Sequence, residues 1–190
     1  MDGLRNIWIV KPGHGSRGRG IRVLDDLQAI ISFATSRKKS AIAQKYIENC
    51  LTLDKKKFDI RFWVLVSNWN PLTVWSYEPY FRLCTEDHTL DRRSLSNQFQ
   101  HLCNRCVQEH HDGYESEDGE DGMMWSVQTF IDHLSGAGHD GEAVYESIRS
   151  QCQQVALCSG CTISPIQASQ HITITEPAGR VARAALCART

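Results

Sequence analysis

Glycines and cations crowd into one short stretch near the start of the chain, NIWIVKPGHGSRGRGI, from Asn6 to Ile21. Its central residues, Gly13 to Gly18, match the pattern G-x-G-x-x-G, and Lys11, Arg17 and Arg19 lie beside them. Glycine lets backbone N–H groups approach phosphate oxygens, and the cations offset the phosphate charge. The stretch therefore favours an anion site, although a solvated hairpin turn is the alternative.

The residues on either side of this loop distinguish between the known phosphate-binding loops. Ile7 to Val10 and Ile21 to Leu24 are short apolar runs, which predicts a strand–loop–strand hairpin. A dinucleotide fingerprint needs a helix after the loop, and a Walker loop needs Lys and then Ser or Thr where this chain has Arg19 and Gly20. A protein-kinase lid has the right order of elements, but the chain contains neither HRD nor DFG.

The remaining elements follow from apolar spacing. We predict a helix capped by Asp25 or Asp26, a strand at Ala41–Ile47, one strand at Phe58–Val66, a turn at Asn68–Leu72, a second hairpin strand at Thr73–Tyr77, and helices at Ser126–Leu134 and Ala143–Leu157. On the strand from Phe58, Asp59 and Arg61 share one face. A charged pair facing inward is costly unless a ligand or partner completes it, whereas an edge-strand pair in solvent is not.

Composition and charge limit the functional classes. The chain has 190 residues and a net charge of −1, but residues 1–61 carry 13 Lys and Arg against 6 Asp and Glu. A basic half attracts anions such as a nucleotide or an acidic peptide. No apolar run reaches the roughly 20 residues of a membrane helix, and no signal peptide is visible, so we expect a cytosolic protein without a membrane partner. Nucleic acid is disfavoured because the overall charge is not basic.

Several ordered motifs together resemble the tubulin tyrosine ligase-like family. They are NIWIVKPGHGSRGRGI, AQKYIE, KKFDIRFWVLVSNWNPLTVWSYEPYFRLCT and QHLCN, and the WNPLTVW stretch is most similar to the tubulin monoglycylase branch. The resemblance implies an α+β, ATP-grasp-like domain, here incomplete, with a mainly antiparallel sheet and flanking helices. It also implies an enzyme that uses ATP and Mg²⁺ to attach glycine to glutamate side chains in acidic tubulin tails, through an acyl phosphate. The expected location is the cytoplasm and cytoskeleton, including the axoneme of a cilium or flagellum.

Ten positions match family residues that contact ATP. They are Lys11, Arg17, Gly18, Gln44, Lys45, Tyr46, Ile47, Lys57, Phe58 and Asp59. The resemblance implies that the hairpin lysine contacts the phosphates and that the hairpin tip closes over the nucleotide. It also implies that the backbone of residues 44–47 binds the edge of the adenine.

Five further positions match residues around the reacting groups. Arg61 and Arg82 match arginines that neutralise phosphate or acyl-phosphate charge. Cys103 and Asn104 match residues near the amino-acid substrate, and Cys106 stands where the glycylase branch has a serine. A thiol is a weaker hydrogen-bond donor than a hydroxyl, so the carry-over at Cys106 is a departure from the family pattern.

The ends of the chain also depart from the family pattern. We expect a partial ligase domain over residues 1–158, an acidic mobile loop at 111–122 within it, and a divergent, weakly structured tail at 159–190. After Glu146 the only side-chain carboxylate is that of Glu176, whereas the family holds Mg²⁺ with an Asp, a Glu and an Asn in a C-terminal segment. We therefore expect no metal ligands in this chain, and little or no ligase activity from it alone.

Two other functional classes remain open. Cys103-x-x-Cys106 and Cys158-x-x-Cys161 could supply four thiolates to zinc, although the 52 positions from Cys106 to Cys158 exceed the usual spacing of about 12–20 residues. A catalytically dead fragment could still bind nucleotide or tubulin through the basic half. His101, His110 and His111 are interpreted as surface histidines.

Overall fold

A computed structural model of the protein describes residues 4–36, 40–69, 72–114, 122–163, 172–175 and 181–184. The chain divides into two compact units. The first unit comprises Met1–Asp59 and Arg82–Trp125, and the second comprises Ile60–Phe81 and Ser126–Thr190.

Strands, α-helices and one 3-10 helix make up the regular structure of the described residues. The strands are β1 (Trp8–Pro12), β2 (Arg22–Leu24), β3 (Ala41–Lys45), β4 (Thr52–Leu53), β5 (Lys56–Arg61), β6 (Val64–Trp69), β7 (Leu72–Ser76), β8 (Tyr80–Asp87), β9 (Met124–Trp125), β10 (Ile172–Thr175) and β11 (Val181–Ala184). The helices are α1 (Leu27–Thr35), α2 (Gln98–His101), α3 (Arg105–Gln108), α4 (Val127–Gly136) and α5 (Gly141–Ile163), and the 3-10 helix is Ser94–Ser96.

The glycine-rich stretch lies in a three-stranded antiparallel sheet of the first unit, with strand order β2-β1-β3. In this sheet Trp8 pairs with Leu24 on one side and with Lys45 on the other. The three strands predicted for this region are confirmed, each displaced by one or two residues at an end. Because β3 is an edge strand, one side of its backbone takes no part in this ladder.

The helix predicted after the hairpin is confirmed, and Asp26 is its N-cap. The Asp26 carboxylate accepts a hydrogen bond from the Ala29 N–H at 2.8 Å. The apolar side of α1 stays open, however, since Leu27 is 67% exposed and Ile31 is 45% exposed. The other described residues therefore do not cover the apolar face of α1.

A compact core ties the three-stranded sheet to the 3-10 helix. Its buried members are Ile7, Val23, Tyr46 and Leu95. Burial of an aliphatic side chain contributes about 1.5–3 kcal/mol, so this cluster holds the strands that carry the hairpin.

The prediction of one strand from Phe58 to Val66 is wrong, because the strand is interrupted after Arg61. β5 belongs to a sheet of order β4-β5-β8-β9, whereas β6 belongs to a sheet of order β11-β10-β7-β6. The chain leaves one sheet and enters another at Phe62 and Trp63. The period-two alternation continues across this break, so the sequence pattern does not reveal it.

The second unit contains the predicted hairpin. β6 and β7 pair antiparallel from Val64 opposite Ser76 to Trp69 opposite Leu72, with an irregularity between Val66 and Asn68. This pairing confirms the hairpin and its second strand. The predicted turn at Asn68–Leu72 is too long, because Asn68, Trp69 and Leu72 are paired strand residues, and Asn70 and Pro71 lie outside the described residues.

Helices α4 and α5 complete the second unit. The helix predicted at Ser126–Leu134 is confirmed as α4, and Ser126 is its N-cap, accepting from the Thr129 N–H at 3.1 Å. Phe130 of α4 is fully buried and stacks on the equally buried Phe81, with ring centroids 4.1 Å apart. Two stacked rings without solvent contact anchor this helix.

The C-terminal part of the chain continues α5 as far as Ile163, beyond the predicted end at Leu157. β10 pairs parallel with β7 and antiparallel with β11, and both strands fall within residues 159–190. Most of the predicted acidic loop, residues 115–121, lies outside the described residues. No helix among the described residues is both long and apolar enough to cross a membrane. The α+β class with mainly antiparallel sheets is confirmed.

Candidate functional site

The tip of the glycine hairpin packs against the start of α3. Gly18 is buried and has a φ of 75°, and a Cβ atom there would lie 2.9 Å from both Asn104 Oδ1 and Val107 Cγ2. A side chain at this position would push the hairpin away from the helix. Arg17 is exposed and has a φ of 63°, a left-handed conformation that costs a non-glycine residue on the order of 1 kcal/mol. The fold thus brings Gly18 of the hairpin to Asn104 of the predicted amino-acid site.

At the base of the hairpin, two predicted nucleotide residues meet on neighbouring strands. The Lys11 ammonium of β1 donates to Gln44 Oε1 of β3 at 2.8 Å, in an exposed position. Ile47, which follows β3, is 59% exposed. An exposed ammonium held by a neutral amide can exchange that partner for a phosphate oxygen, because the charged acceptor binds more strongly.

Lys45 has a different environment, which a buried carboxylate dominates. Its ammonium forms an ion pair with Glu48 and donates to the Ile7 carbonyl at 3.3 Å. Glu48 also accepts from the backbone N–H groups of Arg5 at 2.8 Å and Ile7 at 3.0 Å. Burial raises the pKa of Glu48, but these hydrogen bonds and the Lys45 charge outweigh it and hold the pKa at about 2. Sequence reasoning did not single out Glu48, although it is the last residue of the AQKYIE motif.

Tyr46 and Lys57, both predicted to contact nucleotide, are joined by a third residue that sequence reasoning misplaced. The Lys57 ammonium donates to Tyr46 Oη at 3.0 Å and to the His101 carbonyl at 2.9 Å, and it lies 4.6 Å from the centroid of the Tyr46 ring. Tyr46 Oη is 2.9 Å from His101 Nδ1. His101 is only 2% exposed, so its interpretation as a surface histidine is wrong. Its place in the QHLCN motif was the available signal.

A second imidazole, that of His88, stacks into the same cluster. Its ring centroid lies 5.3 Å from that of His101 and 6.1 Å from that of Tyr46. Burial, followed by the neighbouring His88 and Lys57, lowers the pKa of His101 to about 4. Burial also lowers the pKa of His88 and raises that of Tyr46. All three side chains are therefore neutral at physiological pH beside the charged Lys57.

Asp59 and Arg82 form a two-point hydrogen-bonded ion pair. Arg82 Nε donates to Asp59 Oδ1 at 2.7 Å, and Arg82 Nη2 donates to Asp59 Oδ2 at 2.6 Å. The pair is partly exposed, with 20% of the Arg82 side chain and 40% of the Asp59 side chain accessible. Phe58, beside Asp59 on β5, is half-buried. This arrangement holds a guanidinium and a carboxylate at a surface that a polar ligand can reach.

The cysteines of the predicted amino-acid site have a partner that the sequence did not indicate. Cys103 Sγ lies 3.4 Å from Cys84 Sγ, and both thiols are buried. The contact with Cys103 and burial raise the pKa of Cys84. Cys106 lies on α3 and is half-buried, while the side chains of Cys158 and Cys161 lie outside the described residues.

Arg61 belongs to the second unit, where its guanidinium carbon lies 4.4 Å from the centroid of the Trp63 ring. This contact is a cation–π interaction at an exposed site, worth about 0.5–1 kcal/mol. Asp59 and Arg61 thus have different partners, namely Arg82 and Trp63. No group of three His, Cys, Asp or Glu side chains that could hold a metal ion is present in the described part of the chain.

Comparison with known protein families identifies the family of this chain. The profile of the "Tubulin-tyrosine ligase family" matches residues 1–174. The chain belongs to the tubulin-tyrosine ligase family. The resemblance found in the sequence motifs, including the similarity to the glycylase branch, is therefore confirmed.

Members of the family that are similar to this chain carry glycylase names. Tubulin glycylase 3B of Tetrahymena thermophila is 38% identical over 162 residues, which cover 84% of this chain and 13% of that protein. Tubulin monoglycylase TTLL3 of Homo sapiens is 41% identical over 146 residues, which cover 73% of this chain and 18% of that protein. Protein monoglycylase TTLL8 of Homo sapiens is 38% identical over 163 residues, which cover 78% of this chain and 18% of that protein. The chain thus spans less than a fifth of the length of these relatives.

Proposed function

We propose that this chain forms part of the active centre of an ATP-dependent tubulin glycine ligase. The similarity to the glycylases carries the proposal, because three relatives named as a glycylase or monoglycylase match between 73% and 84% of the chain. The expected partners are tubulin or microtubules, bound through acidic C-terminal tails, with glycine as co-substrate. The expected location is the cytoplasm and the cytoskeleton, including the axoneme of a cilium or flagellum.

ATP would supply the phosphoryl group that activates a glutamate carboxylate of the tail as an acyl phosphate, which the glycine amine then attacks with release of phosphate. The donor set at the hairpin fits the phosphates of ATP. Lys11 and the exposed Arg17 carry positive charge, and the contact of Lys11 with Gln44 is exposed and exchangeable. Gly18 would keep the hairpin tip seated on α3 while the phosphates bind.

The remaining residues have proposed roles around this nucleotide. The backbone of residues 44–47 would bind the adenine edge, since β3 is an edge strand. Lys57, Phe58 and Asp59 would contact the nucleotide from β5. Arg82 would neutralise phosphate or acyl-phosphate charge, and the family resemblance assigns the same role to Arg61. Cys103, Asn104 and Cys106 would lie near the glycine.

Mg²⁺ is a different case, because the described residues do not assemble a set of metal ligands. Two or more carboxylates usually bridge the metal to the phosphates in ATP-dependent enzymes. We therefore assign no step of the reaction to a metal held by this part of the chain. A second candidate function, in which the chain binds nucleotide or tubulin without catalysis, rests on the exposed cations of the hairpin, Lys11 and Arg17.

One preparation of the purified protein can separate these functions. The protein is incubated with ATP, Mg²⁺, labelled glycine and microtubules, and we measure ATP binding, microtubule pelleting and incorporation of glycine. Incorporation of glycine, but not of glutamate or tyrosine, supports the ligase. Binding of ATP or microtubules without incorporation supports the second candidate.

Matched controls define the specificity of this test. Microtubules whose acidic tails have been removed by protease should neither be modified nor bind tightly. Lys11→Ala should weaken ATP binding, whereas Arg92→Ala should not, because the Arg92 side chain is 92% exposed and outside the proposed site. A protein that binds neither ATP nor microtubules would contradict both functions.

A further inference from the structure

His101 has no role in the proposed function, yet it is one of the most buried polar residues that the structure describes. It lies at the end of α2 and contacts two residues of the proposed nucleotide site, Tyr46 and Lys57. Burying an imidazole costs free energy unless both ring nitrogens have partners. The partners of His101 therefore indicate what the residue does.

The direction of each hydrogen bond in this cluster is fixed by its end members. His101 Nε2 lies 3.0 Å from the Ser94 carbonyl oxygen, which only accepts, so Nε2 carries the proton. Nδ1 of a neutral ring then has a lone pair and accepts the Tyr46 O–H at 2.9 Å. With its proton turned towards His101, the Tyr46 oxygen presents lone pairs to the Lys57 ammonium at 3.0 Å, which only donates.

His101 also acts on Lys57 through its backbone. Its carbonyl oxygen accepts from the Lys57 ammonium at 2.9 Å. The ammonium is thus held by two hydrogen bonds and by the Tyr46 ring, whose centroid is 4.6 Å away, and all of these partners are neutral groups. These bonds use two of the three N–H groups of the ammonium, which leaves one donor for a further acceptor.

We propose that His101 is a positioning residue, which orients the Tyr46 hydroxyl and thereby fixes the Lys57 ammonium for contact with an oxygen atom of the bound nucleotide. This inference rests on the proposed function for the identity of the ligand. The positioning itself depends only on the series of hydrogen bonds that runs from Ser94 through His101 and Tyr46 to Lys57. His101 touches no reacting atom in this scheme, so it acts through Lys57.

Chemical labelling of individual lysines tests the positioning without requiring a ligand. The full chain is treated briefly with an amine-acylating reagent, and the extent of modification at each lysine is measured by mass spectrometry. In the native protein Lys57 should react slowly, because its amino group is half-buried and held in place by two hydrogen bonds. His101→Leu keeps the backbone carbonyl at position 101 but leaves the Tyr46 hydroxyl without its acceptor. The variant should therefore raise the Lys57 rate about tenfold, because the hydrogen bond from the ammonium to Tyr46, a bond to a charged group, is weakened.

Two further variants and an internal control make this result specific. Tyr46→Phe keeps the ring but removes the hydroxyl, so it should raise the Lys57 rate as His101→Leu does. His101→Gln should restore the slow rate, because its amide can accept from Tyr46 and donate to Ser94. Lys45, whose ammonium pairs with the buried Glu48, serves as the control in the same digest without ATP. Its rate should be the same in all variants, whereas unfolding would release it and raise its rate together with that of Lys57.

The outcomes separate the inference from the proposed function. An unchanged Lys57 rate in both His101→Leu and Tyr46→Phe would overturn the positioning role. Protection of Lys57 by added ATP in the native protein, and weaker protection in His101→Leu, is the result we expect. If the two substitutions accelerate labelling but ATP gives no protection, the positioning of Lys57 stands and its role in nucleotide binding is overturned.

Discussion

Asp59 and Arg82 face each other across 23 positions of sequence and share two parallel hydrogen bonds of 2.6 and 2.7 Å. The planar guanidinium matches both carboxylate oxygens at once, which a single-point cation cannot do. The pair links β5, the strand that carries Lys57, to β8, its neighbour in the same sheet. Its geometry is therefore a feature of this site that substitution can test.

Arg82→Lys should lower the free energy of unfolding by about 1 kcal/mol, because a lysine keeps the charge but loses one of the two hydrogen bonds. Urea denaturation of the two proteins measures the difference. Arg92→Lys is the matched control, since Arg92 contacts Asp25 at 3.4 Å with a side chain that is 92% exposed. A loss of equal size in Arg92→Lys would show that the two-bond geometry contributes nothing.

Gly18→Ala should destabilise the first unit by about 1–3 kcal/mol, because the left-handed backbone and the contact with α3 both oppose a Cβ atom. ATP binding, if present, should weaken with it. Gly136→Ala offers a contrast, since a Cβ atom at this last residue of α4 would meet nothing within 4 Å. That substitution should be neutral or stabilise by up to about 1 kcal/mol. Equal thermal shifts in the two variants would contradict the packing seen at Gly18.

Phe130→Ala should lower the free energy of unfolding by about 3–5 kcal/mol, because it removes a buried ring and leaves a cavity beside Phe81. Chemical denaturation followed by circular dichroism measures the loss. The control is Val155→Ala on α5, where 65% of the residue is exposed and the change should stay within about 0.5 kcal/mol. A small effect of Phe130→Ala would mean that the stack does not anchor α4.

The stability of the protein should fall as the pH drops from about 6.5 to about 4. In that window the unfolded chain binds a proton at His101 that the folded protein excludes, so protonation favours unfolding. Lys57 and His88 face this ring and Tyr46 hydrogen-bonds to it, and the lowered pKa of His88 acts in the same direction. The share of His101 is about 3 kcal/mol. Urea denaturation of His101→Gln over the same pH range should show a shallower decline, and an identical decline would exclude His101 as its source.

Glu48 should make the stability of the protein depend on pH in a second, more acidic range. Its pKa is about 2 in the folded protein against an ordinary 4.5, so its stabilising contribution is complete above 4.5 and is lost as the pH falls to about 2. Glu48→Gln should therefore be less stable than the native protein at neutral pH, and the difference should narrow through this window. Glu146→Gln, at an exposed ion pair with Arg149 on α5, is the control and should change the free energy of unfolding at neutral pH by less than about 0.5 kcal/mol. Parallel stability curves for Glu48→Gln and the native protein would contradict the role of the carboxylate.

Local signals in the sequence determined the elements of the hairpin region. The runs on both sides of the glycines and the Asp26 cap of α1 depend on residues close together in the chain, and the structure places them as predicted. The family followed from motifs that lie in a fixed order. The roles assigned to individual site residues, such as Lys11 and Arg82, remain predictions that the experiments above address.

Only the tertiary structure decided which side chains meet. The break between β5 and β6 is invisible to a period-two pattern, since both strands alternate in the same phase. Burial of His101 depends on Tyr46 and Ser94, and the nearest sequence neighbours of the histidine say nothing about either. The pairing of Asp59 with Arg82 likewise depends on which strands share a sheet. Hydrophobic period and capping are short-range properties that a sequence displays directly, whereas these contacts arise from packing between segments that the sequence does not place side by side.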